Sequence, residues 1–199
     1  METIDIDELL ELLGTSSCLP NAYDYQYYKG LTKRTILIND VIDDRLVETV
    51  MIPLLEMDND GTNEPINIIL NTRGGNIFSG MPLCDIIDNL KCPTTITVLT
   101  YAYSMGSIIL LAGFNNKNVT KKCYKHSTAL LHAGSTYLEG NSSSVKDTFN
   151  FNQRYEEKIK EYTLTHSRIT EKEYDAMERY EWYMTADDML EKGLVDEIL

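Results

Sequence analysis

Two side chains of this sequence have the chemistry of a nucleophile and its base: Ser104 and His132, which stand 28 residues apart. A serine hydroxyl is a poor nucleophile until a neighbouring base accepts its proton. Ser104 lies between a β-prone run and an apolar segment, so the free N–H groups that begin the next helix would favour a developing oxyanion. The same position also suits a serine that only caps the helix.

Two further features have both a structural and a chemical interpretation. His132 ends a short apolar run, where a histidine can be structural as well as catalytic. Gly74 and Gly75 permit positive φ and close backbone approach. They form either a tight turn or a surface of N–H donors for a carbonyl oxygen. His126 and His166 have polar, loop-like or helix-end surroundings and are predicted to lie at the surface.

The elements that must position these residues alternate between strands and helices. Such alternation implies right-handed crossovers and a largely parallel sheet, in which ligands collect at the carboxyl ends of the strands. The turns after Leu70 and Thr100 fall at such ends. The periodicity predicts strands at 35–38, 66–70, 95–99, 119–123 and 128–131, and helices at 43–57, 81–90, 104–112, 145–165 and from Glu171.

Composition is typical of one globular domain with a short appendage. The chain has 199 residues and a net charge of −13, which disfavours nucleic acid and anionic membranes as partners. No apolar run reaches the ~18 residues that span a bilayer. Residues 1–13 suggest an acidic amphipathic helix without the features of a secretory signal, and residues 14–30 suggest an irregular, tyrosine-rich segment. We therefore expect a cytoplasmic protein.

Metal binding is not indicated by the sequence. The four cysteines form no CxxC pair, and the chain has three histidines. A zinc site needs clustered cysteine and histidine ligands, so none is expected.

The order and spacing of five segments resemble the ClpP family, the proteolytic subunits of Clp proteases. The similarity runs from about Tyr25 to Leu199. It implies a ClpP/crotonase-like α/β fold of repeated β-α-β units with a protruding handle helix. A peptidase domain would cover 25–199, after an N-terminal propeptide, pore element or partner-binding arm at 1–24. The segments are 34–41, 66–75, Ser104-Met-Gly-Ser107, His132, and Met184-Thr-Ala with the run 192–198.

By this resemblance, Ser104 is the nucleophile and His132 the general base. The backbone N–H groups of Gly75 and Met105 would form the oxyanion hole. The activity implied is that of a serine endopeptidase, which cuts unfolded polypeptides into short peptides through an acyl-enzyme on Ser104. No metal or organic cofactor is implied.

The third member of the family's triad is missing from its expected position. The family has an aspartate where this chain has Met177, and methionine cannot accept the imidazole N–H. Asp175, Glu178 and Glu181 stand nearby as possible substitutes, and the sequence does not choose among them. Arg73 and Tyr103 also depart from the family's usual proline and alanine. They are expected to crowd the site.

The resemblance further implies heptameric rings stacked into a tetradecamer, which the handle helix and a strand near residues 137–141 would join. A hexameric Clp ATPase would unfold substrates and feed them to this homo-oligomer. Three alternatives stay open: a catalytically weakened structural or regulatory subunit, a viral capsid-maturation protease, and a crotonase-like enzyme that binds acyl-CoA. The last is the weakest, because that chemistry does not require a serine paired with His132.

Overall fold

The fold is built on a mostly parallel sheet, seen in a computed structural model that describes residues 21–177 and 179–199. Its main path runs β1-β2-β3-β4-β7, and β5 pairs with the end of β3 and with β6. The β5–β6 pair is the one antiparallel pair among the described strands. The strands are β1 (Thr35–Ile38), β2 (Ile66–Thr72), β3 (Thr94–Tyr103), β4 (Val119–Cys123), β5 (Thr128–Leu131), β6 (Trp182–Met184) and β7 (Glu197–Ile198).

The predicted α/β class is confirmed, with repeated β-α-β units around this sheet. Residues 35–38, 119–123 and 128–131 form strands as predicted, whereas β2 and β3 extend beyond their predicted ends. The helices are α1 (Ala22–Leu31), α2 (Ile52–Asn59), α3 (Ile77–Asp88), α4 (Met105–Leu111), α5 (Ser142–Thr165), α6 (Glu171–Met177) and α7 (Ala186–Lys192).

The extension of β3 changes its neighbour along its length. Residues 94–98 pair with β4, and residues 101–103 pair with β5. The register against β2 shifts between Leu70 and Thr72, where β3 carries extra residues. Because of this irregularity, the carboxyl end of β3 lies beside the end of β5.

The core is built from alternate residues of the central strands, which lie on one face of the sheet. Ile66, Ile68 and Leu70 of β2 are fully buried, and so are Ile96 and Val98 of β3. Each such side chain contributes about 1.5–3 kcal/mol when buried. The turns that follow these two strands are consequently carried by the most firmly packed part of the sheet.

The prediction of an irregular segment at 14–30 is wrong from Ala22 onward, where α1 begins. Asn21 caps this helix, because its side chain accepts a hydrogen bond from the N–H of Asp24 at 3.0 Å. The hydroxyl of Tyr27 donates to the carbonyl of Thr49 at 3.1 Å and so ties α1 to the body of the molecule. The helix predicted at 1–13 lies outside the described residues.

The helix predicted at 43–57 begins later, as a π-helical turn (Val47–Met51) that continues into α2. Pro53 has no N–H to donate to the Thr49 carbonyl, which would be its α-helical acceptor. In the wider turn, Ile52 donates to the Val47 carbonyl instead. The Thr49 carbonyl accepts the bond from Tyr27 described above.

The predicted handle helix is α5, which starts three residues before the predicted start of 145 because Asn141 caps it through the N–H groups of residues 143 and 144. Its base is fixed where the Tyr162 hydroxyl donates to Asp88 at 2.8 Å. His166 stacks on the Tyr162 ring at 3.9 Å and lies 3.4 Å from Asp88. His166 is thus half-buried in this network, and its predicted surface position is wrong, whereas His126 is exposed as predicted.

The strand expected near residues 137–141 is absent from the structure. This segment has no regular secondary structure, and Tyr137 is 85% exposed. A strand needs a neighbouring strand to satisfy its backbone groups, and the segment pairs with none of the described strands.

Candidate active site

Ser104 occupies a strained turn between β3 and α4. Its φ of 54° and ψ of −123° lie outside the regions that residues with a Cβ prefer, which costs about 1–3 kcal/mol. Backbone bonds hold the turn: the Ser104 N–H donates to the Leu130 carbonyl at 2.8 Å, and its carbonyl accepts from Ser107 at 2.9 Å. Its side chain makes no capping bond. The helix-cap interpretation is therefore wrong, and the hydroxyl is left at a partly exposed junction.

Ser107 supports the backbone around Ser104, a role that the sequence did not predict. It is fully buried, and its hydroxyl oxygen lies 2.6 Å from the Ala102 carbonyl and 2.8 Å from the Leu130 carbonyl. The same oxygen accepts a bond from the N–H of Leu130 at 3.2 Å. Ser107 thus joins the end of β3 to β5 directly beneath Ser104. The signal for this role was the second serine of Ser-Met-Gly-Ser.

The Gly74-Gly75 turn presses directly against Ser104. A Cβ on Gly74 would lie 2.5 Å from the Tyr103 carbonyl oxygen, 2.7 Å from the Ser104 Cβ and 2.9 Å from the Met105 nitrogen. One on Gly75 would lie 2.2 Å from the Ile42 carbonyl oxygen. Both glycines also have positive φ, of 92° and 150°. These two positions therefore require glycine, and the structure has the close backbone approach that the sequence offered as one interpretation.

Two backbone N–H groups at this edge have no acceptor. Met105 begins α4, so its N–H has no carbonyl within the helix to bond. An isolated β-bridge joins Ile42 to Gly75. Its hydrogen bonds use the N–H groups of Ile42 and Asn76, so the Gly75 N–H takes no part in them. Within the described residues, neither the Gly75 nor the Met105 N–H makes a hydrogen bond. Both are available to a ligand oxygen.

His132 emerges at the same edge as Ser104. In the parallel β3–β5 pair, Tyr103 lies opposite Leu130, so His132 is one position beyond the neighbour of Ser104. Strand spacing and rise then put the two backbones roughly 6 Å apart. The imidazole is half-buried and makes no hydrogen bond with any described residue, Ser104 included. The fold brings the two residues together without joining their side chains.

The acids near Met177 have other partners. Met177 itself is 3% exposed and belongs to the core. The Asp175 carboxylate lies 2.6 Å from the ammonium of Lys160, and with Glu171 it raises the pKa of that lysine to about 12. Glu181 accepts a bond from the Tyr183 hydroxyl at 2.9 Å, which raises the pKa of that phenol. Glu178 lies outside the described residues.

Aromatic rings line one side of the junction. The rings of Tyr101 and Tyr103 lie 5.1 Å apart, and Tyr183 meets Tyr103 edge-on at 6.0 Å. The Arg73 guanidinium covers the Tyr101 ring at 5.0 Å. Tyr103 also bonds the Thr128 hydroxyl at 2.9 Å. Arg73 and Tyr103, the two departures from the family's usual residues, thus belong to one cation–aromatic cluster beside Ser104.

A comparison with protein families now identifies the family of this chain. The family model described as Clp protease matches residues 21–199. The chain belongs to this family. The match covers every element of the site and the whole sheet, so the recognition made from the sequence is confirmed, and with it the fold.

Curated relatives agree with this membership. The chain is similar to the ATP-dependent Clp protease proteolytic subunit 1 of Salinibacter ruber, with 28% identity over 89% of this chain and 75% of the relative. It is similar also to the ATP-dependent Clp protease proteolytic subunit of Deinococcus radiodurans, with 24% identity over 88% of this chain and 85% of the relative. Membership in the Clp protease family indicates a peptidase.

None of the helices at 21–177 and 179–199 is long and apolar enough to cross a membrane. The same stretches contain no group of three or more His, Cys, Asp or Glu side chains arranged to hold a metal ion.

Proposed function

We propose that this Clp protease family member is a serine endopeptidase in which Ser104 is the nucleophile and His132 the general base. The observation that carries the proposal is the contact of the Gly74-Gly75 turn with Ser104. The turn carries the Gly75 N–H, and Met105 directly follows Ser104; neither N–H makes a hydrogen bond with a described residue. His132, at the end of the adjoining strand, is the nearest candidate for a base.

The reaction follows from these positions. His132 takes the proton of the Ser104 hydroxyl as the oxygen attacks the peptide carbonyl. The N–H groups of Gly75 and Met105 donate to the oxyanion, and each such donor is worth about 3–4 kcal/mol in comparable hydrolases. His132 then returns the proton to the leaving amine. Water hydrolyses the acyl-enzyme by the same base, so no metal or organic cofactor is needed.

Assembly into rings belongs to the same proposal. The relatives are named as proteolytic subunits of ATP-dependent proteases. We propose two heptameric rings of this chain, in which α5 joins the rings, and a hexameric Clp ATPase that delivers unfolded polypeptides. Exposed aromatic side chains support the burial of this surface between subunits. Phe78, Phe149 and Phe151 are 44%, 49% and 46% exposed in the single chain. Residues 25–199 would form the peptidase domain of a cytoplasmic protein.

Labelling by a serine-reactive fluorophosphonate tests the nucleophile. The wild type is expected to label at one site, and Ser104→Ala and His132→Ala are each expected to abolish labelling. Ser135→Ala is the matched control, because Ser135 is an exposed serine in the segment after His132. Equal labelling of the wild type and Ser104→Ala, or none in either, would contradict the proposal.

The second candidate is a catalytically weakened subunit of a mixed ring. It is favoured by one observation: His132 has no acidic hydrogen-bond or ion-pair partner among the described residues. An imidazole without a carboxylate loses orientation and support for its positive form. Light scattering near fourteen protomers together with absent labelling would support this candidate, whereas labelling of Ser104 would exclude it. Acyl-CoA turnover that survives Ser104→Ala would favour the crotonase-like alternative.

A further inference from the structure

Arg73 brings a guanidinium close to the proposed nucleophile. It directly precedes Gly74, and a Cβ on Gly74 would lie 2.7 Å from the Ser104 Cβ. Consecutive Cα atoms are about 3.8 Å apart, so the Arg73 Cα lies within about 8 Å of the Ser104 Cβ. An extended peptide advances about 3.3 Å per residue. The Arg73 side chain is therefore long enough to reach the residues on either side of a peptide bond held at Ser104.

Aromatic rings hold this guanidinium in place. It lies over the Tyr101 ring at 5.0 Å, and the Tyr101 ring lies 5.1 Å from that of Tyr103. The bond to Glu181 raises the pKa of the Tyr183 phenol, and the nearby Arg73 charge opposes that rise. Tyr103 and Tyr183 meet edge-on at 6.0 Å, so the rings form one wall. A side chain held in this way loses less entropy when it binds a ligand than a free one does.

The Arg73 guanidinium has no carboxylate partner among the described residues. Two other arginines, Arg34 and Arg45, each form an ion pair with an aspartate. Glu181, the acid that belongs to the aromatic wall, accepts a bond from the Tyr183 hydroxyl instead. Because Arg73 is also exposed, its N–H donors remain available to an acceptor from outside the chain.

A carboxylate is the acceptor that suits this position. A guanidinium binds a carboxylate through two parallel hydrogen bonds that are assisted by charge. The whole chain has a net charge of −13, so most of its surface repels an acidic peptide. An unpaired guanidinium next to the reacting serine attracts the acid locally and so selects where along the peptide it is placed.

Given the proposed roles of Ser104 and His132, on which this inference rests, we propose that Arg73 is a specificity residue that binds a substrate carboxylate beside the cleaved bond. The substrates selected are polypeptides with an aspartate or glutamate at one of the two positions that flank this bond. Tyr101 is the positioning residue that holds the guanidinium. The free carboxylate at the end of a short peptide has the same chemistry, so the test separates these two sources.

Internally quenched peptides of one parent sequence test the preference. Aspartate replaces asparagine either before or after the cleaved bond, and each peptide is made with a free and with an amidated C-terminus. We expect kcat/KM of the wild type to be about fivefold higher for an aspartate peptide than for its asparagine counterpart, whichever C-terminus is present. A gain that follows the free C-terminus alone would support a carboxylate at Arg73 that comes from the chain end. Equal kcat/KM for all peptides, with cleavage lost in Ser104→Ala, would overturn the inference and leave the proposed function intact.

Substitution of Arg73 shows whether the preference depends on its charge. We expect Arg73→Met to reduce the aspartate-to-asparagine ratio to about one, and Arg73→Glu to invert it and to favour a lysine peptide. Lys117→Met is the matched control, because Lys117 is exposed in the turn before β4, at the opposite edge of the parallel sheet from Ser104. It should keep the wild-type ratio. An unchanged ratio in Arg73→Met, or an equal fall in Lys117→Met, would contradict the inference.

Two further measurements separate a direct contact from a structural effect. Tyr101→Leu removes the ring that holds the guanidinium, so we expect the ratio to fall part of the way to one. Salt screens exposed charges, so the wild-type ratio should also fall between about 0.05 M and about 0.5 M NaCl. A ratio that is independent of salt would rule out an ion pair with Arg73.

Binding can also be measured without any cleavage. Fluorescein-labelled aspartate and asparagine peptides are titrated with Ser104→Ala, and fluorescence anisotropy gives the Kd of each. We expect the aspartate peptide to bind about fivefold more tightly, and this difference to disappear when Arg73→Met is added. Equal Kd values in Ser104→Ala would overturn the role of Arg73 even if the wild type proved inactive, so a failure of the peptidase proposal would not hide the result.

Discussion

The two halves of the candidate site are held very differently. Ser104 has both backbone groups in hydrogen bonds, a buried serine beneath it and a glycine turn against it. His132 makes no hydrogen bond with any described residue and begins the segment 132–141, which has no regular structure. The proposed nucleophile and oxyanion donors are thus preorganised by the single chain. The proposed base has no such support from described residues.

This difference shows which part of the site can change when the chain assembles into rings. The Ser104 turn is held by main-chain hydrogen bonds and by its close contact with the Gly74-Gly75 turn. Moving it therefore costs much free energy. An imidazole at the end of a strand moves by rotation alone. If the proposed rings form, their contacts can order the segment after His132, whereas the junction at Ser104 needs no such help.

The largest effect is expected from Gly74→Ala. The new Cβ would lie 2.7 Å from the Ser104 Cβ and 2.9 Å from the Met105 nitrogen, at a φ of 92°. Because the turn or Ser104 must then shift, we expect labelling of Ser104 to fall a hundredfold or more, since misplacement of about 1 Å can cost 10²-fold. The fluorophosphonate rate measures this, and circular dichroism checks folding.

Gly134→Ala is the matched control for that variant, because a Cβ on Gly134 would meet no atom within 4 Å. It lies two residues after His132 in the loosely held half of the site. We expect its labelling rate to stay within a fewfold of wild type. Equal losses in the two glycine variants would mean that the halves are constrained alike.

A smaller loss is expected from Ser107→Ala. The hydroxyl is fully buried and bonds carbonyls on β3 and β5, so its removal leaves backbone groups unsatisfied at a cost of about 1–3 kcal/mol. We expect a lower thermal midpoint and a tenfold to hundredfold slower labelling, because the link beneath Ser104 is lost. Ser135→Ala, an exposed serine, should change neither. An unchanged rate in Ser107→Ala would show that the turn alone fixes the nucleophile.

Much of this architecture could be predicted from the sequence. Short β-prone runs indicate strands, so β1, β4 and β5 were placed at their observed bounds. The Ser104 junction was found because a serine between a strand and an apolar helix, together with a Gly-Gly pair, is a local signal. The family comparison confirmed the recognition to which these signals led.

What the sequence did not predict depends on contacts between distant segments. The extension of β3 past Leu99 is decided by its pairing with β5, which no local pattern reveals. Helix α1 depends on the Asn21 cap and on the bond from Tyr27 to Thr49. That Asp175 is engaged by Lys160 could not be predicted either, because this ion pair joins α6 to α5.

Tyr183→Phe tests the loosely held half with a small change. It removes the hydroxyl that donates to Glu181 and keeps the ring that meets Tyr103. We expect the labelling rate to change about twofold to tenfold, since one exposed hydrogen bond is worth about 0.5–1.5 kcal/mol. Tyr183→Leu, which also removes the ring, should have a larger effect. A hundredfold loss in Tyr183→Phe would mean that this half is as tightly built as the Ser104 junction.

The smallest effect on labelling is expected from Lys121→Met. This variant changes the stability of the fold at a position on β4 that belongs to neither half of the site. Lys121 is 1% exposed, its ammonium bonds the Gly193 carbonyl at 3.1 Å, and burial lowers its pKa from 10.5 to about 8. Between these pH values the unfolded chain binds more protons than the folded one, so the free energy of unfolding rises with pH. The rise is about 3 kcal/mol at most, since one unit of pKa is worth about 1.4 kcal/mol.

Denaturant unfolding at pH 7.5 and 10 measures this rise, which Lys121→Met should abolish. Lys122→Met is the matched control, because the partly exposed Lys122 forms an ion pair with Glu197, and it should keep the rise. Both variants should label at the wild-type rate if the Ser104 junction is fixed by its own local contacts. A loss of labelling that follows stability in Lys121→Met would mean instead that the junction is only as rigid as the whole sheet, and the contrast between the two halves would disappear.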